Sequence, residues 1–157
     1  MSTTTDEAAQ LLLAAWTGTT RINGLPSRCR PADLDQGYAI QDALLVATGE
    51  TLAGHKIAAT SVAGQQHIGI THPITGGLLR SQIRSPGAQV SLSGNQMCAA
   101  EAEFVFEFNA CLPSRATQYS RMEVLQAVGA LRLGIEIPDS RLSDFAGAGA
   151  PQLVADN

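Results

Sequence analysis

Two glutamates spaced two apart, Glu101 and Glu103 in the stretch EAEFVFEFNA, share one face of any strand that carries them, because side chains alternate across the pleat. Val105 and Glu107 continue that face, while Ala102, Phe104, Phe106 and Phe108 form the other and are expected to pack into a core. Like charges side by side repel unless water screens them or a cation lies between them. A third carboxylate, Glu136 in IEIPDSR, falls on another predicted strand, with Asp139 just beyond it. Two or three carboxylates from neighbouring strands make a site for a hard divalent ion such as Mg²⁺ or Mn²⁺. Such an ion keeps positions open for a chelating substrate and polarises its carbonyl. Lys56 in GHKIA, the only lysine of the chain, is a group that could move a proton or stabilise an enolate near such a site. An isolated E-x-E is also what an ordinary solvated strand face looks like, and spacing alone leaves both readings open.

Other chemistries find less support. His55, His67 and His72 lack the H-x-x-x-H spacing of a zinc-protease helix. GAGAP lacks the G-K-[ST] ending of a phosphate loop, and there is no G-x-S-x-G elbow for a serine nucleophile. Cys29, Cys98 and Cys111 are odd in number and far apart, so they suggest neither a zinc knuckle nor a redox pair. A reduced, cytoplasmic setting is expected. Net charge is -4 with no Lys/Arg cluster, which argues against a nucleic-acid partner. The polar, acidic N-terminus does not read as a signal peptide, and no apolar run is long enough to cross a bilayer. With 45% hydrophobic and 15% charged residues over 157 positions, a single globular domain spanning 1-157 is expected.

These residues must be positioned by regular elements. DEAAQLLLAAWTG predicts a first helix that Gly18 ends, and DLDQGYAIQDALLVATG a second, with Asp33 and Gln36 at capping-box spacing. LAGHKIAAT predicts a strand around Lys56, SVAGQQHIG a short helix, and THPITGGLL a loop. AQVSL and AAEAEFVFEFNA predict strands. YSRMEVLQAVGALRLG predicts one helix, capped by Ser120 and Glu123 and ended by Gly134, which packs on the sheet through Val124, Leu125, Val128 and Leu131. Asp139-Ser140-Arg141 reads as a turn, and GAGAPQLVADN as a flexible segment.

The ordered series GYAIQDALL, GHKIAATSVAGQQHIGITHPITGGLL, AAEAEFVFEF, GIEIPDSR and LVADN resembles the 2-keto-4-pentenoate hydratase group of the fumarylacetoacetate hydrolase superfamily, from about Tyr38 to Asn157. That resemblance implies an α+β fold, with N-terminal helices before a mixed, mostly antiparallel β-rich core. It implies that Glu101, Glu103 and Glu136 hold Mg²⁺ or Mn²⁺ and that Lys56 lies in the active site. It implies a lyase that hydrates a 2-hydroxy-2,4-dienoate to a 4-hydroxy-2-oxo acid through a metal-bound enolate, with a small 2-oxo acid as substrate. Related decarboxylases act on 4-oxalocrotonate, and hydrolase relatives cleave acylpyruvates. Several hydratases carry an acidic residue just after the proline of HPITGG, where this chain has Ile74. The family's chains also run further, so the chain is expected to be incomplete at its C-terminal side. A homo-oligomer, or a second chain supplying the C-terminal part, is then expected; the alternatives are a 4-oxalocrotonate-type decarboxylase or acylpyruvate hydrolase using the same site, or a catalytically silent fragment or structural subunit that needs a partner chain.

Overall fold

A computed structural model describes residues 3–157. The chain divides into two compact units, one formed by residues up to Gly94 together with Ser140–Asn157, the other by Asn95–Asp139. In the first unit, helix α1 (Thr4–Gly18) starts from a capping box in which Thr3 and Asp6 satisfy each other's backbone N–H groups. Helix α2 (Leu34–Ala47) is capped by Asp33, whose carboxylate accepts from the Gln36 N–H. Strand β1 (Leu52–Ala58), helix α3 (Val62–Ile68), strand β2 (Ile74–Leu79) and a 3₁₀ turn (Arg80–Gln82) follow. β1 and β2 pair antiparallel, with Lys56 opposite Gly76.

Helix α5 (Ala150–Asp156) closes this unit. The buried cluster joins Ala8, Ala9 and Leu12 of α1 to Ile40 and Leu44 of α2, to Leu25 and Cys29 of the intervening loop, and to Ala155 of α5. Leu12, Leu25 and Leu44 are completely buried, each worth roughly 1.5–3 kcal/mol relative to exposure. α2 approaches α5 closely because Gly37 has no side chain: a Cβ there would stand 2.6 Å from the Pro151 carbonyl oxygen and 3.3 Å from Val154 Cβ.

The second unit is an antiparallel hairpin of β3 (Glu101–Phe108) and β4 (Val128–Glu136), with helix α4 (Arg121–Ala127) in the connection. α4 begins at a capping box of Ser120 and Glu123. The Arg115 guanidinium grips the Glu123 carboxylate with two N–H donors at 2.8 and 3.0 Å and lies 3.6 Å from the Tyr119 ring centre.

Several expectations are corrected. THPITGGLL is not all loop, since Ile74–Leu79 is strand β2; Gly76 and Gly77 are selected by close packing rather than by a turn. AQVSL forms no strand. The single helix expected over YSRMEVLQAVGALRLG stops at Ala127, and Gly134 lies inside β4 rather than ending a helix. Val128 and Leu131 belong to that strand, so the four-residue helix face does not exist. Val128, Leu131 and Ile135 have helical spacing while Leu131, Leu133 and Ile135 alternate, and pairing with β3 decides between the two periods. GAGAPQLVADN ends in α5, with Pro151 in its first turn, and Val154, Ala155 and Asp156 are buried. The Phe face does not fill a core: Phe104, Phe106 and Phe108 are 70%, 53% and 49% exposed. They align with Leu133, Leu131 and Val128 on β4, so one whole face of the hairpin is apolar and open. A two-stranded sheet has no second layer of its own to cover such a face.

Candidate metal centre

The register of the hairpin brings the acidic residues together. Glu101, the first residue of β3, is directly opposite Glu136, the last of β4. Glu103, two residues further along β3, shares their face and is opposite Gly134. Gly134 adds no side chain between Glu103 and the cross-strand Glu136, and a Cβ there would press on Val105 Cγ2 at 2.9 Å. Each of the three glutamates offers a carboxylate oxygen within 4.8 Å of the other two. Glu101 is exposed, and Glu103 and Glu136 are half-buried.

The end of the hairpin that carries these groups is tied down. Asn95 donates its side-chain amide to the Pro138 carbonyl at 2.9 Å, and the Gln96 N–H donates to the Asp139 carboxylate at 3.1 Å. The segment entering β3 is thereby fixed to the segment leaving β4. Asp139 thus serves as an acceptor that holds the loop and is not among the three clustered carboxylates. Glu107, farther along the same face, pairs with Arg132, and that guanidinium holds its carboxyl below the usual range. The acidic face therefore splits in two: a paired end at Glu107 and a three-carboxylate end at Glu101, Glu103 and Glu136.

Three hard oxygen donors this close suit a divalent cation of the Mg²⁺ class, which binds through carboxylates and retains water at its other positions. The donor set contains no thiolate or imidazole, which disfavours a zinc-type site.

Lys56 lies in the first unit, on β1, with its stem against Gly76 of β2. Ile74 is 8% exposed and pairs with Ala58, so the position after the proline is a packed apolar wall without a titratable group. The motif reading missed the residues around Asp156. This buried carboxylate accepts from the Ser140 hydroxyl at 2.7 Å, the Arg141 N–H at 2.9 Å and the Arg141 Nε at 2.8 Å. Arg141 also packs 4.5 Å from the Trp16 ring centre. Ser140-Arg141 is thus not a plain turn but the clamp that holds the end of α5. The acidic residue inside the apolar run LVADN was the available signal, since a buried carboxylate demands partners.

No family model matches the sequence. Individual proteins do. The chain is 32% identical over 143 residues to the 2-keto-4-pentenoate hydratase of Paraburkholderia xenovorans, covering 89% of this chain and 52% of that protein. The chain is a relative of the 2-keto-4-pentenoate hydratases. It is 31% identical over 144 residues to 2-keto-4-pentenoate hydratase 1 of Dechloromonas aromatica, covering 90% of this chain and 54% of that hydratase. The chain spans about half the length of the hydratases it matches. In structure it matches 4-oxalocrotonate decarboxylase from Pseudomonas putida G7, solved with magnesium and adipate, with a TM-score of 0.83 and 23% identity, over 98% of this chain and 58% of the decarboxylase. The expected α+β fold, with its N-terminal helices and antiparallel strands, is borne out by that match, and so is the resemblance to the hydratase group.

Proposed function

We propose that this chain carries the metal-holding part of a divalent-metal-dependent lyase that hydrates a 2-hydroxy-2,4-dienoate to a 4-hydroxy-2-oxo acid. The observation that carries this reading is the convergence of Glu101, Glu103 and Glu136 on one hairpin face. The names of the relatives, all 2-keto-4-pentenoate hydratases among those described, support the reaction. In this reading the three carboxylates hold Mg²⁺ or Mn²⁺; the magnesium bound by the structural neighbour supports the ionic class. When bound, the ion supplies Lewis-acid stabilisation of the negative charge that develops on the substrate's 2-oxygen.

The chain's own residues have separate tasks. The Asn95 and Gln96 hydrogen bonds fix the hairpin end so that the carboxylates converge before any ion arrives, which lowers the cost of assembling the site. Lys56, a strongly hydrated point charge on a flexible stem, is the proton-handling group that the resemblance implies. Ile74 leaves no acidic group after the proline, so proton transfer at that position falls to other residues or to water.

A second reading is favoured by the structural neighbour, whose name is that of a decarboxylase. Decarboxylation of a 4-oxalocrotonate-type substrate develops charge on the same oxygen and needs no water-activating acid at position 74. Product analysis separates the two. The chain is incubated with Mg²⁺ and, in turn, 2-hydroxypenta-2,4-dienoate, 4-oxalocrotonate and an acylpyruvate. Formation of a 4-hydroxy-2-oxo acid from the dienoate supports hydration. Release of CO₂ alone, from 4-oxalocrotonate, rejects hydration and leaves the metal assignment standing. No turnover of any substrate by a chain that binds Mn²⁺ rejects the enzymatic reading for this chain by itself.

A further inference from the structure

Two features of the first unit are absorbed by neither the metal centre nor the core: the carboxamide of Asn157 and the two glycines of ITGGLL. The Asn157 side chain pairs with both backbone groups of one residue of β2, as another strand would. Its Oδ1 accepts from the Gly77 N–H, and its Nδ2 donates to the Gly77 carbonyl at 2.8 Å. On the same stretch of β2, Gly76 is the register partner of Lys56. A Cβ on Gly76 would stand 2.7 Å from Lys56 Cε, 3.2 Å from Lys56 Cγ and 3.0 Å from Asn157 Oδ1. The space where any other residue would carry a side chain is therefore filled by the lysine stem on one side and the Asn157 amide on the other.

We propose that Asn157 is the positioning residue of Lys56: its amide locks the Gly76-Gly77 segment against α5, and the floor so formed fixes the course of the lysine side chain. A lysine stem has four rotatable carbons and loses considerable rotamer freedom when held. Along β1, an open strand surface would leave that freedom intact. Here the stem lies in a trough with no Cβ in its base, and the far wall of the trough is a carboxamide with both hydrogen-bonding groups committed to β2. α5 is held in turn by the Asp156 clamp to Ser140 and Arg141 and by Gln41, whose side-chain amide donates to the Val154 carbonyl at 2.7 Å and the Thr75 carbonyl at 3.1 Å. The lock thus joins α2, β2 and α5 beneath one lysine. Its relevance to the reaction rests on the reading of Lys56 given above; the geometric claim does not.

The test is spectroscopic and needs no turnover. Lys56 is the only lysine, so its Hε resonances are unambiguous in labelled protein. In the native chain, Lys56 Hε should show strong NOEs to the Gly76 Hα protons and a shift distinct from free lysine. In Asn157→Ala, those NOEs should weaken at least severalfold and the shift should move towards the free value, with the α5 contacts of Gln41 retained. Gly76→Ala, which keeps the Asn157 carboxamide but fills the base of the trough, should displace Lys56 as well. Should Asn157→Ala fail to fold, Asn157→Ser, neutral but too short to bridge both Gly77 groups, should give the same weakening of the NOEs. Unchanged Lys56 NOEs and shift in the folded Asn157 variants would overturn the proposal. Mn²⁺ binding by the Glu103→Ala variant is a separate readout, so the positioning claim and the metal reading fail independently.

Discussion

Replacing Gly37 by alanine should destabilise the protein, although the same change in most helices does the opposite. Gly37 is an interior residue of α2, where glycine is about 1 kcal/mol less favourable than alanine. On propensity alone Gly37→Ala would therefore stabilise by about that amount. The structure reverses the sign. The new methyl would lie 2.6 Å from the Pro151 carbonyl oxygen, a backbone atom of α5 that cannot rotate away, and 3.3 Å from Val154 Cβ. α5 must shift outward. Overpacking of this kind costs roughly 1–3 kcal/mol. The shift also stretches the buried Gln41–Val154 hydrogen bond and the Asn157–Gly77 pair, each worth about 1 kcal/mol. The net loss is about 2 kcal/mol, or a fall in Tm of roughly 4–8 °C for a chain of this size. Urea unfolding at equilibrium reads it directly, as a lower midpoint at an unchanged slope. A raised midpoint would refute the claim that α2 and α5 meet backbone to backbone at Gly37.

Other consequences follow from the same geometry. Arg141→Ala leaves the Asp156 carboxylate, 3% exposed, without its charge partner and should cost about 3 kcal/mol or more, read by the urea midpoint; a loss below 0.5 kcal/mol would contradict the clamp. The hydrogen bonds from Arg115, then those at Ser120, hold the Glu123 carboxyl down at about 2. Its depressed value means that the stabilisation is complete above the ordinary glutamate pKa and lost as pH falls through about 2, and carbon-detected titration of Arg115→Ala should show the value rising towards the normal range. The open apolar face of the hairpin should bind a hydrophobic dye, and Leu133→Lys should reduce that fluorescence while changing stability by less than about 0.5 kcal/mol. Equal dye binding by both proteins would place the exposed surface elsewhere.

What the sequence disclosed and what it withheld have physical reasons. β3 was legible because its alternation over eight residues is interrupted only at Val105, and the E-x-E spacing survives any error in the strand's ends. Caps marked α2 and α4 for the same reason, since a Ser or Asp followed three residues later by a partner is a local signal, whereas the Thr3–Asp6 box that starts α1 was not read. The convergence of Glu136 on Glu101 was not local. It depends on a register fixed across the 19-residue connection 109–127, and the helical stripe through Val128 and Leu131 concealed the first part of the strand that carries Glu136. β2 was hidden by Gly76 and Gly77, which weaken strand propensity and are explained only by what touches them: Lys56 and Asn157 on one side, Leu45 and Leu52 on the other. α5 was hidden by the glycine- and alanine-rich run that leads into it, and its close approach to α2 comes from the absent side chain of Gly37. The burial of the Phe face was inferred from hydrophobicity, which speaks of preference and not of whether a second layer is present.

The central claim is that Glu101, Glu103 and Glu136 together bind a divalent cation with positions left open for a chelating oxygen ligand. Calorimetric titration with Mn²⁺, with and without oxalate, on the native chain and on Glu103→Ala, tests it most directly. The account predicts saturable binding by the native chain, strengthened by oxalate, and at least a tenfold loss of affinity in the variant. Equal Mn²⁺ affinity in the two proteins would contradict it, as would a native chain that binds none.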